Sequence, residues 1–125
     1  MSTKLQDFPN NAIVGAGVTP RTATTTVTGA TGDFVSGDGR CTAIQQVGTL
    51  SGTSPSLAGK IQESSDQTTW TDVSGATFTA VTTNDNVQAI SFDRTKRYLR
   101  YVGTITGTSP SIPLAVVVTE QKKQV

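Results

Sequence analysis

The amino-acid sequence predicts an all-β protein: a single antiparallel β-sandwich, of jelly-roll or Ig-like type, with an extended N-terminal arm. Breaker residues recur about every eight to twelve residues, as between the short strands of a sandwich or barrel, and no stretch keeps a helical period. Only 34% of the 125 residues are hydrophobic and 6% aromatic, and Thr, Ser and Gly, which suit strands and turns, fill the balance. We divide the chain into an arm (1–22), one sandwich domain (23–120) and a C-terminal tail (121–125).

The stretch Arg97–Thr119 is the segment around which we expect the chain to be organised. Its aromatic and β-branched residues predict a strand over Arg97–Ile105 and a second over Ile112–Thr119. The breaker cluster Gly107–Pro110 between them predicts a turn, so the segment is predicted to be a hairpin. Its apolar run Leu114–Val118 is rich in valine, which indicates a strand buried on both faces.

The rest of the domain is predicted to consist of shorter strands separated by Gly, Pro, Asn and Asp turns. A helix at Asp93–Tyr101, where charges are dense, is disfavoured by its threonine and aromatic residues. The stretch Arg40–Leu50 alternates only loosely, which leaves its buried face open. The predicted strands are Ala23–Thr28, Asp33–Val35, Arg40–Leu50, Leu57–Ser64, Trp70–Val73, Phe78–Val81 and Val87–Phe92.

An internal repeat links two parts of the chain. Val47–Ser56 and Val102–Ser111 differ at only two of their positions, with an offset of 102 − 47 = 55 residues. Each copy contains Gly-Thr-Ser-Pro, which predicts a turn before a new strand. Two interpretations remain open: two similar turns in a Thr/Ser/Gly-rich chain, or two hairpins in matching places whose turns share one rim and form a contact surface.

The first 22 residues are predicted to lack regular structure of their own. Their apolar residues follow no period, and Asn, Gly and Pro interrupt them. One interpretation is a frayed terminus. The other is an arm that docks on a neighbouring subunit, because a disordered tail carries fewer apolar residues. The residues predicted to bind the partner are Leu5, Phe8, Pro9, Ile13 and Val14.

Nothing in the sequence indicates catalysis or a bound cofactor. The chain has no histidine, and its single cysteine, Cys41, has no partner for a disulfide, a metal site or a thiol nucleophile. Its carboxylates are spread among predicted turns, and no phosphate-binding glycine loop is present. We therefore predict a protein that is not an enzyme and that holds no cofactor and no metal, with Cys41 a small buried apolar residue.

The net charge of +1 gives no bulk attraction to nucleic acid or to an anionic membrane, so neither is predicted as a partner. The N-terminal residues lack the apolar core of a secretion signal, and synthesis in the cytosol is expected. One local basic cluster contains Arg94, Arg97 and Arg100. It is either a solvated strand face or a contact with an acidic partner subunit, and these arginines are predicted to bind a partner.

Trp70 has two interpretations. It is either a core anchor or an exposed ring that stacks on a sugar, and the second would make the chain a carbohydrate-binding module. That hypothesis predicts Trp70 or Tyr98 exposed beside polar turn residues.

Two sequence motifs carry a resemblance to known proteins. Glu63–Val73 follows the pattern Glu-Ser-x-Asp-x-x-x-Trp-x-Asp-Val, and Arg97-Tyr-Leu-Arg100 follows it, before the second Gly-Thr-Ser-Pro. This set, over residues 33–119, resembles small virion-associated proteins of tailed bacteriophages. The resemblance implies a β-sandwich structural protein of the phage particle.

Within that class, the resemblance favours a capsid decoration (cement) protein that binds the outer capsid surface and stabilises the head. A head-fibre base and a neck or tail component remain alternatives. The implied partners are the major capsid protein and further copies of the chain. A trimer is the first guess, because decoration sites often lie on three-fold positions. The implied location is the virion, after synthesis in the cytoplasm of the bacterial host.

Overall fold

The computed structural model describes residues 12–122, which form eight β-strands and no helix. Gly, Pro, Ser and Asp residues interrupt the strands, in keeping with their preference for turns and bulges. The strands are β1 (Ala12–Ala23), β2 (Val27–Thr28), β3 (Gly32–Asp33), β4 (Gly37–Val47), β5 (Ser51–Ser64), β6 (Thr71–Thr77), β7 (Asn86–Phe92) and β8 (Tyr98–Lys122).

All strand pairs are antiparallel, and together they make a sheet nearly closed into a barrel. Along the main path the order is β6-β5-β8-β4-β7, and β1, β2 and β3 also pair with β8. A side chain links the two ends of the path: Gln88 of β7 bonds the backbone nitrogen and oxygen of Thr79, just after β6, at 2.8 Å each. The predicted all-β antiparallel class is thus confirmed, whereas a jelly-roll or Ig-like sandwich is not.

Strand β8 is the organising element of this barrel. Its first half pairs with β5 along one edge and with β2 and β3 along the other. Its second half, from Ile112, pairs with β4 and β1 in the same way. Because β4 and β5 follow one another along the same edge of β8, they form with it one long two-stranded ribbon. The predicted hairpin over Arg97–Thr119 is therefore wrong, since this stretch is one continuous strand.

The two copies of the repeat lie opposite each other where this ribbon bends. Each predicted Gly-Thr-Ser-Pro turn is instead a bulge inside a strand, and the register shifts on both sides of it. We call residues 51–56 and 106–111 the bulged corner. Bulges bend a strand and increase its twist, which lets the ribbon turn from one wall of the barrel to the next. The register across the corner is Ser51↔Ser111, Thr53↔Thr108 and Ser56↔Thr106.

The backbone of the bulged corner shows why the same residues occur twice. Gly52 and Gly107 have φ angles of 105° and 121°, and Ser54 and Ser109 have 51° and 47°. A Cβ atom on Gly52 would lie 2.5 Å from the Ser109 oxygen, and one on Gly107 would lie 2.7 Å from the Ser54 oxygen. Each glycine therefore allows the close approach of the other copy, so neither copy tolerates a side chain at this position.

The N-terminal boundary predicted from the sequence is wrong. Residues 12–23 form β1, which pairs with β8 from Ala12↔Gln121 to Ala23↔Ile112, with two register shifts. These shifts destroy the period-2 pattern that would have indicated a strand. Residues 12–22 therefore belong to the barrel, and only residues 1–11 of the predicted arm remain, outside the described residues. Similarly, β8 runs to Lys122, into the predicted tail.

The interior of the barrel is apolar apart from a few hydrogen-bonded groups. Inside it, Tyr101 donates a 2.6 Å hydrogen bond to Gln45 Oε1. Gln45 Nε2 has no partner within the described part of the chain. The side chains that are fully buried include Phe34, Leu57, Ile61, Leu99, Tyr101 and Ile112. Strand β8 supplies three of these six side chains, so the core packs around β8.

Candidate functional site

Two outer surfaces of the barrel differ in chemistry. The first, the polar face, lies over the first half of β8 and the adjoining strands β3, β5 and β6. Polar and aromatic side chains cover it and contact one another across the strands. Its members are Asp33, Lys60, Gln62, Trp70, Asp72, Arg97, Tyr98 and Arg100.

One half of the polar face is built around Arg97. Its Nε and a terminal nitrogen donate to the two carboxylate oxygens of Asp33 at 2.9 and 2.8 Å. The guanidinium carbon also lies 5.0 Å from the centre of the Tyr98 ring. The hydrogen bonds from Arg97 lower the pKa of Asp33 to about 2. Arg97 is therefore already engaged in a bidentate pair within its own chain.

The other half of the polar face is a chain of contacts from Arg100 to Lys60. Arg100 donates to Gln62 at 2.9 Å, and Gln62 donates to Asp72 at 3.0 Å. Lys60 also bonds Asp72, and these two donors lower the pKa of that carboxylate. The guanidinium carbon of Arg100 lies 4.4 Å from the Trp70 ring centre, a cation–π distance.

Both aromatic rings of the polar face are half-buried rather than buried or open. Trp70 is absent from the buried core, so its interpretation as a core anchor is wrong. Arg100 lies against the Trp70 ring, and Arg97 lies against the Tyr98 ring. The exposed aromatic ring that a sugar-binding module needs is therefore not observed at either residue.

Arg94 lies at the end of the barrel, largely inside it. It pairs with Glu120 at 2.8 Å, and the two side chains are 15% and 2% exposed. Its other nitrogens donate to the carbonyl oxygens of Phe34, Gly37 and Lys96. Arg94 thus joins the 34–37 turn, the loop before β8 and the end of β8. Its predicted role in binding a partner has no support from this burial.

The second surface, the apolar face, covers the second half of β8 with β1, β4 and β7. The row Val117, Ile44 and Ala89 is apolar throughout. The rows on either side mix apolar and polar residues: one is Val14, Thr119, Thr42 and Ser91, and the other is Ala115, Gln46 and Val87. Val14, Val87 and Val117 are 60%, 66% and 43% exposed. Exposed apolar side chains gathered on one face are a feature of interaction sites. The members of the face are Val14, Ile44, Val87, Ala89, Ala115 and Val117.

An open groove of about 520 Å³ lies at the end of the apolar face nearest the bulged corner. One wall comes from β1 and contains Arg21, and the opposite wall contains Asp85. Pro113 and Ala115 of β8 and Gln46 of β4 line the space between them. Arg21 bonds only to Thr19, and neither Arg21 nor Asp85 forms an ion pair within residues 12–122.

The predicted partner-binding residues of the arm divide into three groups. Leu5, Phe8 and Pro9 lie outside the described residues. Ile13 is half-buried and packs against the core, whereas Val14 belongs to the apolar face. Sequence reasoning missed Val87 and Val117 as exposed residues. The alternation of β7 contained a signal for the first, because Ile90 and Phe92 share the opposite parity, toward the core.

The described residues contain no group of three or more His, Cys, Asp or Glu side chains able to hold a metal ion. Cys41 is fully buried, as predicted, and burial raises its pKa to about 12, which keeps it a neutral thiol. Within residues 12–122, no helix has the length and hydropathy needed to cross a membrane. Of the surfaces described, the apolar face with its groove is the candidate functional site.

Comparison with known proteins shows a likeness of fold. The chain superposes on the crystal structure of the PBSX exported protein XepA with a TM-score of 0.59 and 16% sequence identity, over 91% of this chain and 38% of that one. The chain thus spans less than half of the length of this neighbour. At such identity the likeness shows the fold alone. No family model matches the chain, and no curated protein matches it.

Proposed function

We propose that the protein is a non-enzymatic structural component of a phage virion, a decoration protein that binds the outer capsid surface and stabilises the head. The observation that carries the proposal is the apolar face, a solvent-exposed surface on an otherwise polar barrel. The sequence resemblance to virion-associated phage proteins supplies the class. The fold shared with the PBSX exported protein XepA is compatible with that class.

The motif behind the resemblance has a structural role in this barrel. Glu63 accepts hydrogen bonds from the backbone nitrogens of Thr95 and Lys96 and so holds the loop before β8. Asp66 accepts from the backbone of the 66–69 turn, which lowers its pKa. Trp70 and Asp72 belong to the polar face. These residues build the scaffold, so residues that recognise a particular partner are expected elsewhere, on the apolar face and in residues 1–11.

The proposed partners are the major capsid protein and other copies of this chain, with a trimer as the first arrangement to test. We also propose that two walls of the barrel pack against each other as the two sheets of a β-sandwich do. No catalytic group, cofactor, nucleic acid or membrane is needed for this role. The protein would reach the virion after synthesis in the bacterial cytoplasm.

Titration onto capsid shells that lack the protein tests this function. We expect saturable binding to the outer surface and greater resistance of the shell to heat and to low salt. Val117→Arg, which places a charge on the apolar face, should weaken binding, whereas the matched change Val35→Arg in the 34–37 turn should not. Absence of binding, with no gain in shell stability, would remove the decoration role. A cryo-EM map of the particle separates it from a head-fibre base, neck or tail position.

A further inference from the structure

We propose that the groove at the corner end of the apolar face receives Leu5 and Phe8 from the N-terminal segment of a second copy. The chain would then self-associate by exchange of N-terminal segments. This inference rests on the self-association within the proposed function, and it names the surface and the residues that perform it. It does not depend on the capsid.

The groove leaves apolar surface exposed to water, whereas the side chains of the polar face already have partners. On the polar face, Arg97, Arg100 and Asp72 have partners within their own chain. On the apolar face, Val87 at the groove is 66% exposed. Covering such side chains removes apolar surface from water, which is the main driving force of association.

The position of the N-terminal segment points to another copy. Residues 1–11 continue from Ala12, which pairs with Gln121 at the end of the apolar face away from the groove. The groove begins at Pro20, which is 20 − 12 = 8 residues further along β1. Because of its two register shifts, β1 advances along β8 only from Gln121 to about Ala115 over this length, which is 121 − 115 = 6 residues or about 20 Å. The segment therefore starts at the far end of its own apolar face.

The reach of the segment excludes its own groove. Phe8 precedes Ala12 by 12 − 8 = 4 residues, which cover at most about 14 Å of extended chain. This is shorter than the distance of about 20 Å to the groove, and at Ala12 the backbone of β1, followed toward the N-terminus, is directed away from the groove. Leu5 would approach the groove only with the chain fully extended along the sheet, and Phe8 could not accompany it. Both side chains can enter one groove only if the groove belongs to another molecule.

The chemistry of the segment matches that of the groove. A volume of about 520 Å³ lies within the range of sites that hold small ligands, and it accommodates a leucine and a phenylalanine side chain. In the sequence Lys-Leu-Gln-Asp-Phe, Lys4 precedes Leu5 and Asp7 precedes Phe8. The groove presents Asp85 on one wall and Arg21 on the other, so each charge of the segment meets an opposite charge.

Sedimentation velocity of the full-length protein tests the exchange. Phe8→Ser removes the proposed anchor, and Val87→Arg blocks the groove. Each should weaken self-association by at least about tenfold, as expected for the loss of a central apolar contact. The matched control Val35→Arg changes a valine that is 50% exposed in the 34–37 turn, and it should leave the association constant unchanged.

Mixing the two variants distinguishes exchange from simple contact between two apolar faces. The Phe8→Ser protein keeps an intact groove, and the Val87→Arg protein keeps an intact segment. An equimolar mixture should therefore form a dimer joined by one segment, at concentrations where each variant alone is monomeric. The inference is overturned if the wild-type protein is monomeric. It is also overturned if Phe8→Ser associates normally, or if the mixture stays monomeric.

The result is independent of the capsid assay. Self-association that depends on Phe8 and Val87, together with no binding to capsid shells, would retain the exchange and remove the decoration role. Capsid binding by a wild-type protein that is monomeric in solution would do the reverse.

Discussion

The polar face and the apolar face cover the two halves of the same strand, β8, yet they use their side chains in different ways. On the polar face, Arg97 and Arg100 each pair with a polar side chain of another strand and with an aromatic ring. On the apolar face, Val87 and Val117 are exposed. On our proposal, the polar face serves the stability of the isolated chain and the apolar face serves association.

The largest expected effect tests the premise that the barrel interior, rather than either face, dominates stability. Glu120→Ala removes the partner of Arg94 and leaves a largely buried guanidinium unpaired, so we expect a loss of about 3–5 kcal/mol in the free energy of unfolding. Urea denaturation measures it. The control Asp93→Ala breaks the exposed contact with Arg40 at 3.7 Å and should cost less than about 1 kcal/mol. Equal losses would contradict the premise.

A smaller effect is expected on the polar face. Arg100→Ala removes the hydrogen bond to Gln62 and the cation on the Trp70 ring, and we expect a loss of about 1–2 kcal/mol. The emission of Trp70, the single tryptophan, should shift to longer wavelength as water reaches the ring. An unchanged spectrum and unchanged stability would show that the contacts of Arg100 do not stabilise the chain.

The pH dependence of stability sharpens the comparison further. Hydrogen bonds from Arg97 lower the folded-state pKa of Asp33 to about 2, below its ordinary value of 3.8. Its contribution is therefore complete above about pH 4 and is lost as the pH falls toward 2. The difference in unfolding free energy between wild type and Asp33→Asn should shrink across this window. A constant difference from pH 5 to pH 2 would show that the ion pair is not the cause.

The smallest effect is expected on the apolar face. Val117→Thr should change the unfolding free energy by less than about 0.5 kcal/mol, because Val117 already contacts water. The neighbouring residue Val118 is fully buried on the same strand. Val118→Thr places an unpartnered hydroxyl inside the barrel and should cost about 1–3 kcal/mol. Similar thermal denaturation curves for the two variants would contradict the assignment of Val117 to the exposed face and of Val118 to the barrel interior.

Strand-forming residues were recognisable from the sequence where the pattern was local. Residues 87–92 alternate in chemistry and form β7 nearly as predicted. In the loosely alternating stretch Arg40–Leu50, the structure buries Cys41, Ala43 and Val47 and leaves Ile44 half-buried on the apolar face. The barrel interior selects one parity, which the sequence left open.

Bulges explain the errors in strand boundaries. A turn and a bulge both need residues that accept positive φ, so Gly-Thr-Ser-Pro predicts either one. The choice depends on the partner strand, which lies 55 residues away in the repeat. At Gly75, with a φ of 78°, a predicted turn also proves to lie within a strand, β6. Local sequence therefore located the breaks in the ladder but not their kind.

The candidate site was harder to predict from the sequence than the strands, because it depends on contacts between residues far apart in the chain. The basic cluster was evident from the sequence, but its partners were not. Asp33 lies 64 residues from Arg97, and Glu120 lies 26 residues from Arg94. Only the fold brings these groups together. The apolar face was hidden for a related reason, because the exposure of Val117 within a run of valines depends on which strands cover β8.

The position of β8 in the chain constrains how the molecule is made. Its five partner strands all precede it, and their registers join residues as far apart as Ala12 and Gln121. On the ribosome, the β5–β6 hairpin and the β4–β7 pair can form early, but most of the ladder must wait until residues 98–122 emerge. Such distant pairing makes folding slow and leaves strand edges unpaired meanwhile. Nascent chains that stall before residue 98 should therefore be substrates for chaperones or proteases.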